Sequence, residues 1–271
     1  MYVLRLEAST EHDQQVVYAE FREQLTRDPE RWYETSLPWK DNHAPLPNNK
    51  AGSLRRLGHL QSKLQRMGLT EEYGQITEQQ KSEGIVEEAK ESPQEKEFYI
   101  PHKHVVRIGA ESTKLRVVYD ASAQSNQQAP SLNDCLYAGP PLQNHLWNAL
   151  VRMRIHPVLI TEDLKQAFLQ FRIKKLERDA LRFHWKANEH SEVETLRFTR
   201  VFFRLVPSPF LLGGVIESHL ESWEPRRPEL VAELRKSLYV ADLISGKSTV
   251  EETKQVKDNS SYSFFQILLK T

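Results

Sequence analysis

A single cysteine, Cys135, occurs in the 271 residues, which excludes an intramolecular disulfide and any cysteine-rich zinc site. A reducing, intracellular location is the expectation that follows. Long apolar runs are missing as well. Even residues 201–216 are interrupted by Arg204, Pro207 and Pro209, so no stretch approaches the roughly 20 residues that span a bilayer, and no membrane partner is expected. The first residues carry no apolar core of a secretory signal. Net charge is absent too: 37 Lys and Arg balance 37 Asp and Glu, so nucleic-acid binding cannot be argued from the total. What is present fits a folded domain, since 39% hydrophobic and 27% charged residues lie outside the disordered range. Charge is unevenly spread. Residues 163–186 carry seven Lys/Arg against three Asp/Glu, and residues 70–97 carry nine Glu against three Lys. That contrast suits a phosphate-tracking groove and equally suits two solvated faces.

The most informative segment is Tyr239-Val240-Ala241-Asp242. Apolar residues run in (Leu238, Tyr239, Val240) and out (Leu243, Ile244), so the segment reads as strand, turn, strand with one carboxylate at the turn. A second carboxylate, Asp163, closes the β-rich run Val158-Leu159-Ile160-Thr161-Glu162. At a strand end an Asp can approach a metal while its backbone stays paired; a helix N-cap explains the same residue. Neighbouring strand residues point to opposite faces, so Glu162 is a poor substitute. In Lys114-Leu115-Arg116-Val117-Val118-Tyr119 the alternation sends both cations out on one face. Such a pair suits a triphosphate, and an ordinary solvated strand face gives the same pattern. Pro209, with Gly213 and Gly214 behind it, predicts a helix start whose backbone can closely approach nucleic acid or a nucleotide, and plain helix–sheet packing gives the same pattern.

Periodicity predicts helices over residues 10–27, over the stripe Leu57, Leu60, Leu64 and Met67 ended by Gly68, and from a Thr70 cap to Gly84. Residues 36–50 read as an extended linker, and the charged residues 87–97 as a boundary. Residues 99–108 and 114–119 predict a hairpin around residues 109–113, followed by a polar loop at 122–130. A helix is expected at 142–154, strands at 169–173, 181–185 and 196–204, and a helix at 209–220. His102 and His104 share a face of their strand; with no cysteine or spaced acid nearby, a solvated or base-contacting role is expected. The five tryptophans are scattered and read as core or packing residues.

In this order the segments resemble the reverse transcriptase domain of Bel/Pao-type LTR retrotransposons. Residues 114–122, then Ser131-Leu132-Asn133-Asp134-Cys135-Leu136 and Gly139-Pro140, are similar to that family's fingers. Ser36-Leu37-Pro38-Trp39-Lys40 and Leu46-Pro47-Asn48-Asn49 are similar to the linker between its protease and polymerase regions. The resemblance spans roughly residues 30 to 257. It implies an α+β fold with the palm and fingers of a right-hand polymerase, preceded by a helical segment (1–97), with fingers and palm over 98–257, a divergent tail at 258–271 and the thumb absent. By resemblance Asp163 binds both Mg²⁺ ions and Asp242 is a lesser metal ligand, so these two form the catalytic site. Lys114 and Arg116 hold the incoming dNTP, Phe168 is the aromatic gate, and primer-template nucleic acid is the partner. Ala241 stands where the family has its first turn Asp. The implied RNA-directed DNA polymerase is therefore expected to be an inactive, truncated copy; a non-catalytic nucleic-acid-binding module and a non-functional fragment are the alternatives.

Overall fold

The computed structural model describes residues 11–93, 96–106, 115–164, 166–188 and 190–260. The chain opens with helix α1 (Glu11–Gln24), short strands β1 (Thr26–Arg27) and β2 (Tyr33–Thr35), and helices α2 (Lys50–Met67) and α3 (Thr70–Ser82). Strands β3 (Val86–Glu88), β4 (His102–Val106) and β5 (Leu115–Tyr119) follow, then helix α4 (Leu146–Met153) and strands β6 (Val158–Asp163), β7 (Arg172–Ile173), β8 (Arg182–Trp185) and β9 (Glu194–Phe198). Helices α5 (Ser208–Trp223) and α6 (Pro228–Ser237) lead to β10 (Leu238–Tyr239), β11 (Asp242–Lys247) and helix α7 (Val250–Ser260). Helices and small sheets with antiparallel pairings are interleaved along the chain, a mixed α+β arrangement. No described helix is long and apolar enough to cross a membrane.

Contacts divide the chain into two units. One comprises Met1–Thr35, Ala138–Phe171 and Pro207–Thr271; the other comprises Ser36–Tyr137 and Arg172–Val206. In the first unit α5 is apolar nearly all round, burying Phe210, Leu211, Leu212, Val215, Ile216 and Leu220. Pro209 lies in its first turn, where a missing N–H costs nothing. Phe210 meets Phe21 of α1 edge-on at 5.2 Å between ring centroids. A Cβ on Gly214 would stand 2.4 Å from the Phe21 ring, so only glycine lets α1 lie this close. The sheet of this unit runs β10–β11–β6, antiparallel throughout.

In the second unit β3, β9 and β8 form an antiparallel sheet, and β4 pairs with β5. Leu57, Leu60 and Leu64 of α2 are buried as the stripe predicted, whereas its last member, Met67, is exposed. Gly68 ends that helix at φ 66, and the Leu69 N–H donates to the Leu64 carbonyl oxygen at 2.9 Å, the closure that a left-handed C′ residue permits. Around β5 an aromatic cluster forms: Tyr119 meets Phe198 edge-on at 4.6 Å and Phe183 at 5.1 Å. At the centre of the charged part of this unit, Asp179 accepts from Arg182 Nη2 at 2.9 Å and from Arg197 Nη1 at 2.8 Å. All three are buried. Burial alone would raise the Asp179 pKa; the hydrogen bonds and charges of Arg197 and Arg182 outweigh it and hold the carboxyl below its ordinary value.

Several expectations are corrected. Residues 87–97 do not merely separate regions, because β3 begins at Val86 and pairs with β9; Glu87 is matched by Arg197 at 2.7 Å and Arg178 at 3.2 Å. Thr70 is the first helical residue rather than the cap, since Leu69 occupies that position with no side-chain bond. Helix α1 stops at Gln24 because Thr26 and Arg27 pair with Glu34 and Tyr33. The expected strand at 169–173 is a 3₁₀ turn (Ala167–Gln170) followed by the two residues of β7. The strand expected over 196–204 ends at Phe198. Trp185 is core, but Trp147 is 68% exposed. His102 and His104 do share a face, opposite Tyr119 and Val117, yet it is the inner one and His102 is buried. Its Nε2–H donates to the His184 carbonyl oxygen at 2.8 Å, which leaves Nδ1 to accept from Tyr73 Oη at 2.5 Å.

Two stability predictions follow from these buried groups. Asp179→Ala strands two guanidiniums in the interior, where a missing partner typically costs about 3–5 kcal/mol. Glu97 and Glu87 still reach Arg182 and Arg197, so a loss near the lower end is expected in urea unfolding, and a loss below about 1 kcal/mol contradicts the pairing. Burial lowers the pKa values of His102, His184 and His219 from 6.5 to about 4. The unfolded chain therefore binds more protons between those values. Stability falls as pH drops from 6.5 toward 4, by about 1.4 kcal/mol per pH unit per histidine, and these groups add no slope above that window. A flat urea midpoint between pH 6.5 and 4.5 contradicts their neutral burial.

Candidate functional site

The candidate site is the end of β6 and the start of β11. β6 is rich in Val, Ile and Thr, residues that suit a pleated strand, and its exposure alternates along its length. β11 pairs with it in the register Asp242↔Asp163, Leu243↔Glu162 and Ile244↔Thr161. Directly opposed residues of an antiparallel pair point to the same face with Cβ atoms about 5 Å apart. Asp163 and Asp242 therefore face each other on the open side of the sheet, both exposed, while Leu243 is buried on the inner side. Glu162 pairs with Leu243 and so lies on that inner face, as the strand period requires.

Tyr239 pairs with Asp242, leaving Val240 and Ala241 as a two-residue hairpin turn. Val240 has φ 54, a left-handed backbone that a β-branched residue rarely adopts. Such strain costs on the order of 1–3 kcal/mol and persists only where the surroundings over-determine it. The clamps are visible. The Leu164 N–H donates to the Ala241 carbonyl oxygen at 2.8 Å. Asn144 Nδ2 donates to the carbonyl oxygens of Arg235 and Leu238, both at 2.7 Å, fixing the junction that enters the hairpin. Val240 also lines a small cavity with Leu142, Pro209, Gly213 and Leu238.

Burial and then the charge of Asp163 raise the Asp242 pKa above its ordinary value. Position 241, between the clamped turn and Asp242, offers only a methyl group. No cluster of three or more His, Cys, Asp or Glu side chains that could hold a metal exists among the described residues. Two facing carboxylates suit one hard divalent cation whose shell is completed by water. They do not fit a pair of dications, which needs more anionic oxygen than two side chains supply.

Of the other residues singled out, Arg116 is exposed on β5 opposite Val105 and belongs to the second unit. Lys114 lies outside the described residues. Phe168 is half-buried in the Ala167–Gln170 turn of the first unit, directly after Gln166 at φ 53. The left-handed Val240 and the Asn144 clamp were not anticipated from sequence. A valine carries no signal for positive φ, and Asn144 is separated from its acceptors by about ninety residues.

No family model matches the chain, and no curated protein matches it. Solved structures do. A foamy viral protease-reverse transcriptase in complex with dsDNA aligns over 98% of this chain with a TM-score of 0.50 and 15% identity. A second, the foamy viral protease-reverse transcriptase dRH in complex with ds DNA, aligns over 99% at 14% identity with a TM-score of 0.48. The chain spans about half the length of these proteins, 47% and 43% respectively. The first likeness establishes the fold: the chain is reverse-transcriptase-like, as its sequence resemblance implied.

The facing carboxylates predict a measurable coupling. Asp163→Asn removes one of the two causes of the Asp242 shift, so its pKa should fall part of the way toward the ordinary Asp range, burial sustaining the remainder. Carboxyl NMR titration of both proteins reads this directly. An Asp242 pKa unmoved by the substitution contradicts the paired geometry.

Proposed function

We propose that the chain is a palm and fingers domain of a Bel/Pao-type reverse transcriptase whose two-metal site is one carboxylate short, so that it binds nucleic acid without synthesising it. One observation carries this reading: Asp163 and Asp242 stand opposite each other across β6 and β11, with Ala241 in the turn between them. Nucleotidyl transfer uses two divalent ions about 3.5–4 Å apart, one activating the primer hydroxyl and the other holding the triphosphate. Here Asp163 and Asp242 are the ligands that remain, and the fingers cations Lys114 and Arg116 are assigned to the triphosphate. Phe168 is assigned to the gate beside the sugar. The foamy viral protein of like fold is in complex with dsDNA, which supports primer-template as the ligand class. An intracellular setting accords with the single cysteine.

Losing one preorganised electrostatic element at a transition state costs about 10²–10³ in rate. Primer extension on a homopolymer template is therefore expected to be negligible with Mg²⁺, and less severely impaired with Mn²⁺, whose coordination is more forgiving. Ala241→Asp should raise Mg²⁺-dependent extension by about a hundredfold, and Asp163→Asn in that background should abolish it. Mn²⁺ stoichiometry gives a readout independent of turnover: at most one ion at this site in the unmodified chain, and a second with Ala241→Asp. Robust Mg²⁺-dependent extension by the unmodified chain refutes the proposal, as does a site that already holds two ions.

A further inference from the structure

A second concave site lies in the first unit where the C-terminal end of α5 meets α1, β1 and β2. Its cavity is about 700 Å³, within the range of small-ligand sites. Four arginines line it: Arg22, Arg27, Arg31 and Arg226. Glu221 is the one carboxylate in the lining among the described residues, and Arg22 already engages it bidentately at 3.1 and 2.8 Å. Arg27, Arg31 and Arg226 thus remain around one hollow with no second carboxylate in its lining among the described residues.

The arrangement is built rather than incidental. Arg27 lies 4.3 Å from the centroid of the Tyr33 ring, an arrangement in which the ring face attracts the cation. It also donates to Tyr33 Oη and, at 3.3 Å, to His219 Nδ1. Both acceptors are buried and neither is a carboxylate. His219 is neutral because burial and then the Arg27 charge lower its pKa to about 4, so Arg27 is oriented without being neutralised. Arg31 is presented from a backbone at φ 71, closed by its own N–H on the Asp28 carbonyl oxygen at 2.8 Å. Trp223, half-buried, supplies an aromatic wall beside Arg226. Arginine forks match phosphate oxygens, and an aromatic plane accepts a base.

We infer that this hollow binds a phosphate-bearing nucleotide unit, its phosphates on Arg27, Arg31 and Arg226 and its base against Trp223. None of these residues belongs to the β6–β11 pair, so the site stands whether or not the polymerase reading does. Free nucleotides and nucleic-acid strands share this chemistry, and the test separates them.

Fluorescence polarisation on the full chain would use two probes, a fluorescent ATP analogue and a labelled short single-stranded oligonucleotide, with inorganic tripolyphosphate as competitor. Arg31→Gln and Arg226→Gln, both at exposed positions, should each weaken binding about tenfold. Lys254→Gln, a change at an exposed cation of α7, should alter it less than about twofold. Trp223→Leu should weaken nucleotide and oligonucleotide binding and leave tripolyphosphate competition intact. A nucleotide displaced by tripolyphosphate with no oligonucleotide bound identifies a free polyphosphate ligand. Oligonucleotide binding whose salt slope falls by about one with each arginine removed identifies a strand. Equal losses with Lys254→Gln overturn the proposal, as does the absence of any binding tighter than about 1 mM.

Discussion

The antiparallel register of β6 against β11 is the constraint on which the candidate site depends. Side chains alternate with a period of two, so a slip by one residue would turn Asp242 inward and bring Leu243 to the open face. The burial of Leu243 and the exposure of Asp242 and Asp163 hold the register from both sides. The paired carboxylates are thus a by-product of keeping a leucine dry. Burial and then the charge of Asp163 raise the Asp242 pKa, and the repulsion is small enough at an exposed position for the apolar side to prevail.

The hairpin that carries Asp242 is held less by its own propensity than by its surroundings. Val240 is a poor choice for a left-handed turn residue, where glycine or asparagine costs least. Its conformation is imposed by the Ala241 carbonyl, tied to Leu164, and by Asn144, which grips the entering strand through two carbonyls. Backbone strain at a turn that presents a side chain is a common mark of a functional site. Here the strained turn persists although the residue it would present at 241 is an alanine. The geometry of the turn is secured by Leu164 and Asn144, so it does not depend on a polar side chain at position 241.

Much of this was legible in the sequence, and the exceptions have physical reasons. Asp163 and the hairpin were readable because a β-rich run ending in a carboxylate is a local pattern, and Gly68 was readable because a helix stop is local too. His102 was assigned to the right face of its strand and the wrong environment. Spacing shows which residues share a face, whereas the partners Tyr73 and His184 that make that face the interior are remote in sequence. Glu87 was misread for the same reason: a charge looks solvated until Arg197, 110 residues away, is seen beside it. The arginine-lined hollow is the extreme case. Its walls come from residues 22–33 and 218–226, and only the packing of α1 on α5 brings them together.

That packing also shows how two kinds of charge are treated in one chain. Asp179 is buried with two guanidiniums that neutralise it, the arrangement that lets an ion survive in the interior. Arg27 is anchored instead by two neutral acceptors, Tyr33 and His219. If stability alone governed this corner, a carboxylate would be the better partner, because hydrogen bonds between opposite charges are roughly twice as strong as neutral ones. A neutral histidine orients the arginine and leaves its charge facing the hollow. The cost is a positive charge left at the hollow in the free protein, screened by water and salt and more fully offset by a bound anion.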